Sequence, residues 1–501
     1  MRISSPLHKF EIEYIFKIEN WGHFKPVIWY AYCPEIIKIG TVVQNYSVLK
    51  YKDQLPGEQT RLAAANFIRS GEWINPEMLR CYLLQKEASL EVNHRLGYIS
   101  KPQFEVINLA IRELLYLFQK EENQFHQVIT EIFPVDALQG GAGTSLNQNM
   151  NEAIANLANF ITYENSGGVG HIHPLDHVNL HQSTNDTFPS AFRAAALTLF
   201  KKLQTSFAAL QKTLQEKEQE FSGIRKLGRT QLQDAVPVTL GLEFGAFAQA
   251  IGRDRWRFYN AEERLKAVNL GGTMVGTGAG APLKYRQLVT IEFAALTGLP
   301  LAKAEDTFEA TQNLDGIIEA HSILKTAACN LKKIANDLRL LSSGPNGGLG
   351  EIRLPERQAG STIMPGKVNP VIPEHIIQIA EAIKAHDQII SNLASEGNLE
   401  LNQYYPAIAH YFLKSQTWLT QVAEVFSQNC INDIQPDRER CAELLEQSYA
   451  DAVTFIKDFG YERVTKVVKE CLSSGQPFKE VFINETGISE TEFQKYLKEK
   501  G

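Results

Sequence analysis

Four short stretches of this chain gather hydroxyls, amides and glycines in patterns suited to holding a small anion and taking a weakly acidic proton from it. The densest is GSTIMPGKVNPVIPE, Gly360 to Glu374, which combines hydroxyls at Ser361 and Thr362, backbone freedom at Gly360 and Gly366, a cation at Lys367 and an amide at Asn369. A glycine-flanked loop with exposed N–H groups and a lysine is able to bind a carboxylate or to keep a serine as its alkoxide. Taken alone, the same loop also reads as a surface connection. GGAGTSLNQNMNEAIAN, Gly140 to Asn156, is a glycine-rich turn feeding a helix, with Thr144, Ser145 and Asn147 at its start. HQSTNDTFPSAFRAA, His181 to Ala195, puts Ser183, Thr184 and Asn185 just before a helix that Pro189 opens. Free N–H groups and the positive end of the helix dipole suit an anion there, although Ser183 to Asp186 also read as plain helix caps. GRTQLQDAVPVTLG, Gly228 to Gly241, adds Thr230 and Gln231 ahead of another long helix, where capping or packing is the simpler role.

These stretches are rich in neutral donors and poor in metal-ligand spacing. His171, His173, His177 and His181 cluster in sequence, but neither their spacing nor the nearby acids fit a metalloenzyme pattern. GTMVGTGAG, Gly272 to Gly280, follows a helical pattern rather than a strand, so it is no dinucleotide fingerprint. Fifty basic against fifty-seven acidic residues give a formal charge of −7. Nothing in that balance attracts nucleic acid or an anionic membrane, so a small anion has to be held by local groups. The six cysteines (Cys33, Cys81, Cys329, Cys430, Cys441, Cys471) form no CxxC pair, which fits neither a zinc site nor a disulfide framework and points to a reducing cytoplasm. The apolar run Val27 to Cys33 meets Pro34 and Glu35 at once, and is too short and too poorly flanked for a signal peptide or a membrane span.

The elements that must position these groups are long helices. Apolar residues recur at alternating spacings of three and four along Ile317, Ala320, Leu324, Ala327, Leu331, Ile334, Leu338 and Leu341, a run that stops at Gly344-Pro345. Similar seams run through Ala196, Phe200, Leu203, Phe207, Leu210 and Leu214; through Leu240, Phe244, Phe247, Ile251, Phe258, Ala261, Leu265 and Val268; and through Ile408, Phe412, Ser415, Leu419, Val422 and Phe426. A narrow stripe on helices of roughly 25 to 30 residues is what a bundle seam requires, within one subunit or between subunits. Glycine-rich connections separate the seams at Gly140–Gly143, Gly271–Gly280 and Ser342–Pro370, and connections as long as the last are usually functional or disordered. The 501-residue chain is long enough for two or three domains. Residues 1–55 carry no sustained periodicity, and the last 60 or so, broken at Pro436, Gly460, Gly475 and Gly487, read as a small domain of short helices.

At these residues the chain strongly resembles the aspartase/fumarase superfamily, whose signature GSSxMPxKxNP stands here as GSTIMPGKVNP. Four separated motifs follow in the family's order, and the likeness spans about residues 57 to 500. Within the superfamily it looks most like aspartate ammonia-lyases and class II fumarases. The resemblance implies an all-α, three-domain subunit: a helical domain over 56–183 after the unassigned arm, a central long-helix domain over 184–438, and a small domain over 439–501. It further implies a homotetramer with a 20-helix core and active sites shared between subunits, acting on a small dicarboxylate such as L-aspartate or fumarate. No cofactor, metal, nucleic acid or membrane partner is expected. Carried over by motif, Ser361 is the base that takes the Cβ proton. Lys367 and Asn369 hold the substrate and support the charged serine, Thr144, Asn147, Ser183, Thr184, Thr230, Gln231 and Thr362 belong to the same site, and Asn185 contacts the amino group.

Aspartate and malate differ only in the leaving group, so variable positions have to separate the two activities. Gln231 stands where fumarases of this type have a histidine paired with the glutamate matched here by Glu374, and glutamine neither takes nor gives a proton. NDLRLLSSGP (Asn336 to Pro345) and NPVIPE (Asn369 to Glu374) resemble aspartase, whereas ASEGNLELN (Ala394 to Asn402) and IHPLDHVN (Ile172 to Asn179) resemble fumarase. Aspartate deamination is therefore the expected reaction, with fumarate hydration as the alternative. Four departures from the family pattern leave a non-catalytic homologue as a third reading: Thr362 in the signature, Asn346 after SGP, Leu175 in the Pro-Asn-Asp turn, and Arg61 one place early with Leu62 in its slot.

Overall fold

A computed structural model describes residues 47–118, 126–164 and 170–500. The Val27–Cys33 run and most of the N-terminal arm lie outside the described residues. Labelled in chain order, the helices of eight residues or more begin with α1 (Glu58–Asn66), α2 (Pro76–Arg95), α3 (Lys101–Tyr116) and α4 (Thr144–Glu164). Five long ones and a shorter one follow: α5 (Thr184–Glu220), α6 (Leu240–Leu265), α7 (Leu283–Thr297), α8 (Asp315–Leu341), α9 (Val371–Ala394) and α10 (Tyr405–Asn429). The fold is all-α, with only short two-stranded pairings among the described residues.

The seams read from the sequence are the core. All eight residues from Ile317 to Leu341 are buried on α8, as are the six on α5 from Ala196 to Leu214 and the six on α10 from Ile408 to Phe426. Each fully buried Leu or Phe contributes about 1.5–3 kcal/mol, and the rings interlock edge to face: Phe192 and Phe200 on Phe412, and Phe207 on Phe258. Helix α5 packs on α6 and α10, α8 on α6 and α9, and α9 on α10, so α5, α6, α8, α9 and α10 form one bundle, in which α5 and α10 run in the same direction, Gln416 meeting Ala196 and Glu424 meeting Ser206. One helix differs from expectation, since α5 spans 37 residues and begins at Thr184 rather than at Pro189. Ser183 and Asp186 form a reciprocal capping box there, and that box sets the start.

A second difference is that Gly228–Thr239, expected only as the approach to a helix, lies in an antiparallel hairpin of β1 (Arg225–Thr230) and β2 (Gln233–Thr239). Its two-residue turn is Gln231-Leu232, at φ 53° and 61°. At the C-terminus, α11 (Arg438–Glu446) precedes α12 (Ala452–Phe459), α13 (Tyr461–Ser474), α14 (Phe478–Thr486) and α15 (Glu490–Lys500). The last four share their own apolar cluster around Phe455, Val467, Phe478, Phe482 and Phe493. Gly460, Gly475 and Gly487, all at positive φ, end the first three of them.

Candidate active site

Two of the four chemical stretches meet at the end of the bundle where α5 begins. Gly143, at φ 94°, lies so close to Phe188 that a Cβ would be 2.3 Å from the ring. That approach seats the Gly140–Gly143 turn on the first turns of α5 and leaves Thr144 exposed at the start of α4. Ser183 caps α5, Thr184 is nearly buried beside it, and Asn147 Nδ2 donates to Thr184 Oγ1 at 3.1 Å. The glycine-rich connection after α6 closes the same corner. Buried Asp186 accepts from the backbone N–H groups of Ser183, Gly271 and Thr273, at 3.0, 3.0 and 3.1 Å, and Asn185 Nδ2 donates to the Met274 carbonyl at 2.7 Å. A carbonyl only accepts, so it must face the amide nitrogen; the oxygen of Asn185 is left as the free acceptor.

Sequence reasoning passed over the centre of this corner. Lys86, on α2 and 1% exposed, donates to Asn147 Oδ1 at 2.8 Å and to Asn179 Oδ1 and Gln182 Oε1, each at 3.0 Å. Burial pulls its ammonium down to about 7 against the opposing pull of Asp186, and burial pushes the Asp186 carboxyl up to about 6 against its three backbone donors. A lysine inside YLLQKEASL looks like a surface residue, and lysines are almost never fully buried.

The other two stretches lie at the opposite end of the bundle. The hairpin following α5 carries Thr230 and Gln231 exposed at its tip. Its first strand is held by buried Glu351, whose two carboxylate oxygens accept from Arg229 Nη1 at 3.0 Å each and one of which also meets buried Lys226 Nζ at 3.0 Å. Glu351 lies on the long connection between α8 and α9, its N–H donating to Leu341 O at 2.9 Å. On that connection Ser361 Oγ accepts from the N–H groups of Ile363 and Met364, at 3.1 and 2.9 Å. The arms of the loop cross at Gly360, where a Cβ would be 1.8 Å from the Lys367 carbonyl oxygen, and Asn369 Nδ2 ties the crossing by donating to Gly360 O. Thr362, Ile363, Met364 and Lys367 are exposed, and Glu374 sits in the first turn of α9.

Helix α5 separates the two groups. Its 37 residues run about 55 Å at 1.5 Å per residue, with Ser183, Thr184 and Asn185 at one end and the Thr230–Gln231 hairpin at the other. One copy of the chain therefore brings Thr144, Asn147, Ser183, Thr184 and Asn185 together, and separately places Thr230, Gln231 and the Ser361 loop at the far end.

The histidine cluster serves the turn before α5. His173 Nδ1 accepts from Asp176 N at 3.2 Å, His173 N donates to His177 Nδ1 at 2.8 Å, and His181 Nδ1 is 2.7 Å from Asn93 Oδ1. Leu175 is half exposed on that turn, and Leu62 is half exposed on α1. The start of α1 is already filled by a carboxylate, because Glu152 accepts from Gln59 N, Thr60 N and Thr60 Oγ1 at 3.0, 2.9 and 2.6 Å.

A bundle of long helices, with donor-rich turns at both ends and a serine loop carrying a lysine and an asparagine, defines an all-α lyase of the aspartase/fumarase type. The lyase family model matches residues 52–384, and the chain belongs to that family. Among curated relatives, the aspartate ammonia-lyase of a Bacillus species is 39% identical, over 89% of this chain and 93% of its own length. That of Pseudomonas aeruginosa is 40% identical, over 87% and 91%. A class II fumarate hydratase of Ralstonia nicotianae is 37% identical, over 89% and 95%. Among solved structures, a fumarate lyase:delta crystallin from Brucella melitensis matches with a TM-score of 0.83 at 37% identity, over 89% of this chain and 95% of that one. No helix among the described residues is long and apolar enough to cross a membrane.

Proposed function

We propose that the chain is an aspartate ammonia-lyase, in which Ser361 as its alkoxide takes the Cβ proton of L-aspartate. The electron pair moves into the neighbouring carboxylate to give a doubly charged aci-carboxylate. It then returns to form the Cα–Cβ double bond as the Cα–N bond breaks, releasing ammonia and fumarate and leaving Ser361 as its hydroxyl. The observation that carries this reading is the pair of N–H groups aimed at Ser361 Oγ, because donors that favour the charged form lower a hydroxyl's pKa. Lys367 adds a cation on the same loop, and Asn369 and Thr362 complete it.

Thr144, Ser183, Thr184, Thr230 and Gln231 supply neutral donors where the dianion's charge develops. Asn185 presents a carbonyl oxygen, the right polarity for an ammonium group. Glu374 lacks a histidine partner here, since Gln231 stands in that place, and this favours amine over hydroxyl elimination. The likeness to a class II fumarate hydratase at 37% identity keeps malate as the second substrate to test.

Because α5 holds the two halves of the site about 55 Å apart, the site is built from several copies of the chain, in a homotetramer with a 20-helix core. Helices α5, α6, α8, α9 and α10 would supply that core. The subunit divides at about 56–183, 184–438 and 439–501, and the protein works in the cytoplasm, in keeping with the unpaired cysteines among the described residues. Purified protein is given L-aspartate and L-malate in turn while the ultraviolet absorbance of fumarate is followed. Product from aspartate supports the reading, and product from malate alone ends it.

A further inference from the structure

We propose that Asn147 is a positioning residue whose amide, locked by Lys86 and Asn179, fixes the Thr184 hydroxyl as a donor toward a bound carboxylate. This rests on the reading of Thr184 as part of the dicarboxylate site. The lock starts with groups that have only one possible polarity. Gln182 Nε2 donates to the Val178 carbonyl at 2.9 Å, and Asn179 Nδ2 donates to the Gln182 carbonyl at 3.2 Å. Backbone carbonyls accept only, so both amides must turn their oxygens toward Lys86. The lysine's three hydrogens meet these two oxygens and that of Asn147.

Asn147 Nδ2 is thereby directed at Asn179 Oδ1, at 3.2 Å, and at Thr184 Oγ1, at 3.1 Å. Both hydrogens of that amide are used, its oxygen accepts from Lys86, and Asn147 is 5% exposed, so it has no donor left to offer an anion directly. Its effect passes through Thr184. A hydroxyl has one hydrogen, and because the oxygen already accepts from Asn147, that hydrogen is held for an acceptor on the other side. An anion is an acceptor, and a donor fixed in advance costs no reorganisation when charge develops.

The test is Asn147→Asp, Asn147→Leu and Thr184→Val, with the double variants carrying Thr184→Val. Aspartate at 147 offers Thr184 only acceptor oxygens and takes the hydroxyl hydrogen for itself; leucine merely releases it. The relay predicts that Asn147→Asp lowers kcat/KM for L-aspartate and weakens calorimetric binding of succinate by about tenfold to a hundredfold, the worth of one hydrogen bond to a charged group. Asn147→Leu costs less than Asn147→Asp, and adding either change to Thr184→Val costs nothing further. A packing role predicts the reverse order, since leucine leaves Lys86 short of an acceptor. A purely electrostatic effect of the added carboxylate would persist in the Thr184→Val background. Either result overturns the relay. If the aspartate variant does not assemble, the Asn147→Leu cycle decides by the same non-additivity. Wild-type protein that binds succinate but turns over no dicarboxylate ends the proposed reaction and leaves the binding arm to judge the relay. Wild-type protein that does neither ends both.

Discussion

Ser361 Oγ faces the backbone N–H groups of Ile363 and Met364 in a local turn, while the arms of the loop cross at Gly360, so serine and glycine make separable contributions. Ser361→Ala deletes the proposed proton acceptor and keeps the Gly360 crossing; steady-state kinetics are expected to show a loss of about 10²- to 10⁴-fold with an unchanged thermal midpoint. Gly360→Ala instead drives a methyl into the Lys367 carbonyl, forces the arms of the loop apart and misplaces both Ser361 and Lys367. A comparable loss of activity is expected, again without loss of stability, because the loop is largely exposed. Full activity in either variant would remove the loop from the reaction. The composition of this loop made it readable in the sequence. Asn147 was named from its motif, but Lys86, which locks it, was not readable, because no local pattern distinguishes a buried lysine from one whose stem merely crosses apolar surface.

At the scale of elements, the seams were legible because a spacing of three and four leaves one solution for a long helix, and every seam residue on α8 is buried. The β1–β2 hairpin was not. Its turn is Gln-Leu at positive φ, without the glycine or asparagine that marks such turns. Inside the bundle, polar groups occur where α8, α9 and α10 meet. His321 lies between Asp387, at 2.9 Å, and Ser415, at 3.0 Å, and His386 Nδ1 is 3.0 Å from Ser415 Oγ. Burial pulls His386 down to about 4, helped by neighbouring His321, Lys414 and His410 and opposed by Glu72. The folded state therefore refuses a proton that the unfolded chain accepts below its ordinary value of 6.5. Stability from this group is fully present above that value and is lost as pH falls toward 4, by about 3 kcal/mol at most. In thermal unfolding at pH about 7 and about 4.5, wild type is expected to lose its advantage over His386→Asn as pH falls. A constant gap would show that His386 does not titrate in this window.

The whole molecule is governed by the length of α5. A helix of 37 residues keeps Thr184 and the Thr230 hairpin about 55 Å apart, so neither half of the site completes the other within one chain. Sequence motifs named both halves without revealing this separation, because order along a chain says nothing about which end of a bundle a turn occupies. The proposed homotetramer would resolve it by bringing unlike ends of neighbouring copies together. The decisive measurement is complementation. Ser361→Ala and Thr184→Val proteins, each impaired, are mixed, dissociated and reassembled, and hybrids are verified by native mass spectrometry before activity is measured. Independent draws of the two contributing chains from an equal mixture leave roughly a quarter of the sites with both wild-type residues. Activity is therefore expected to rise well above that of either parent, toward about a quarter of the wild-type value. Verified hybrids no more active than the average of their parents would contradict a site shared between chains.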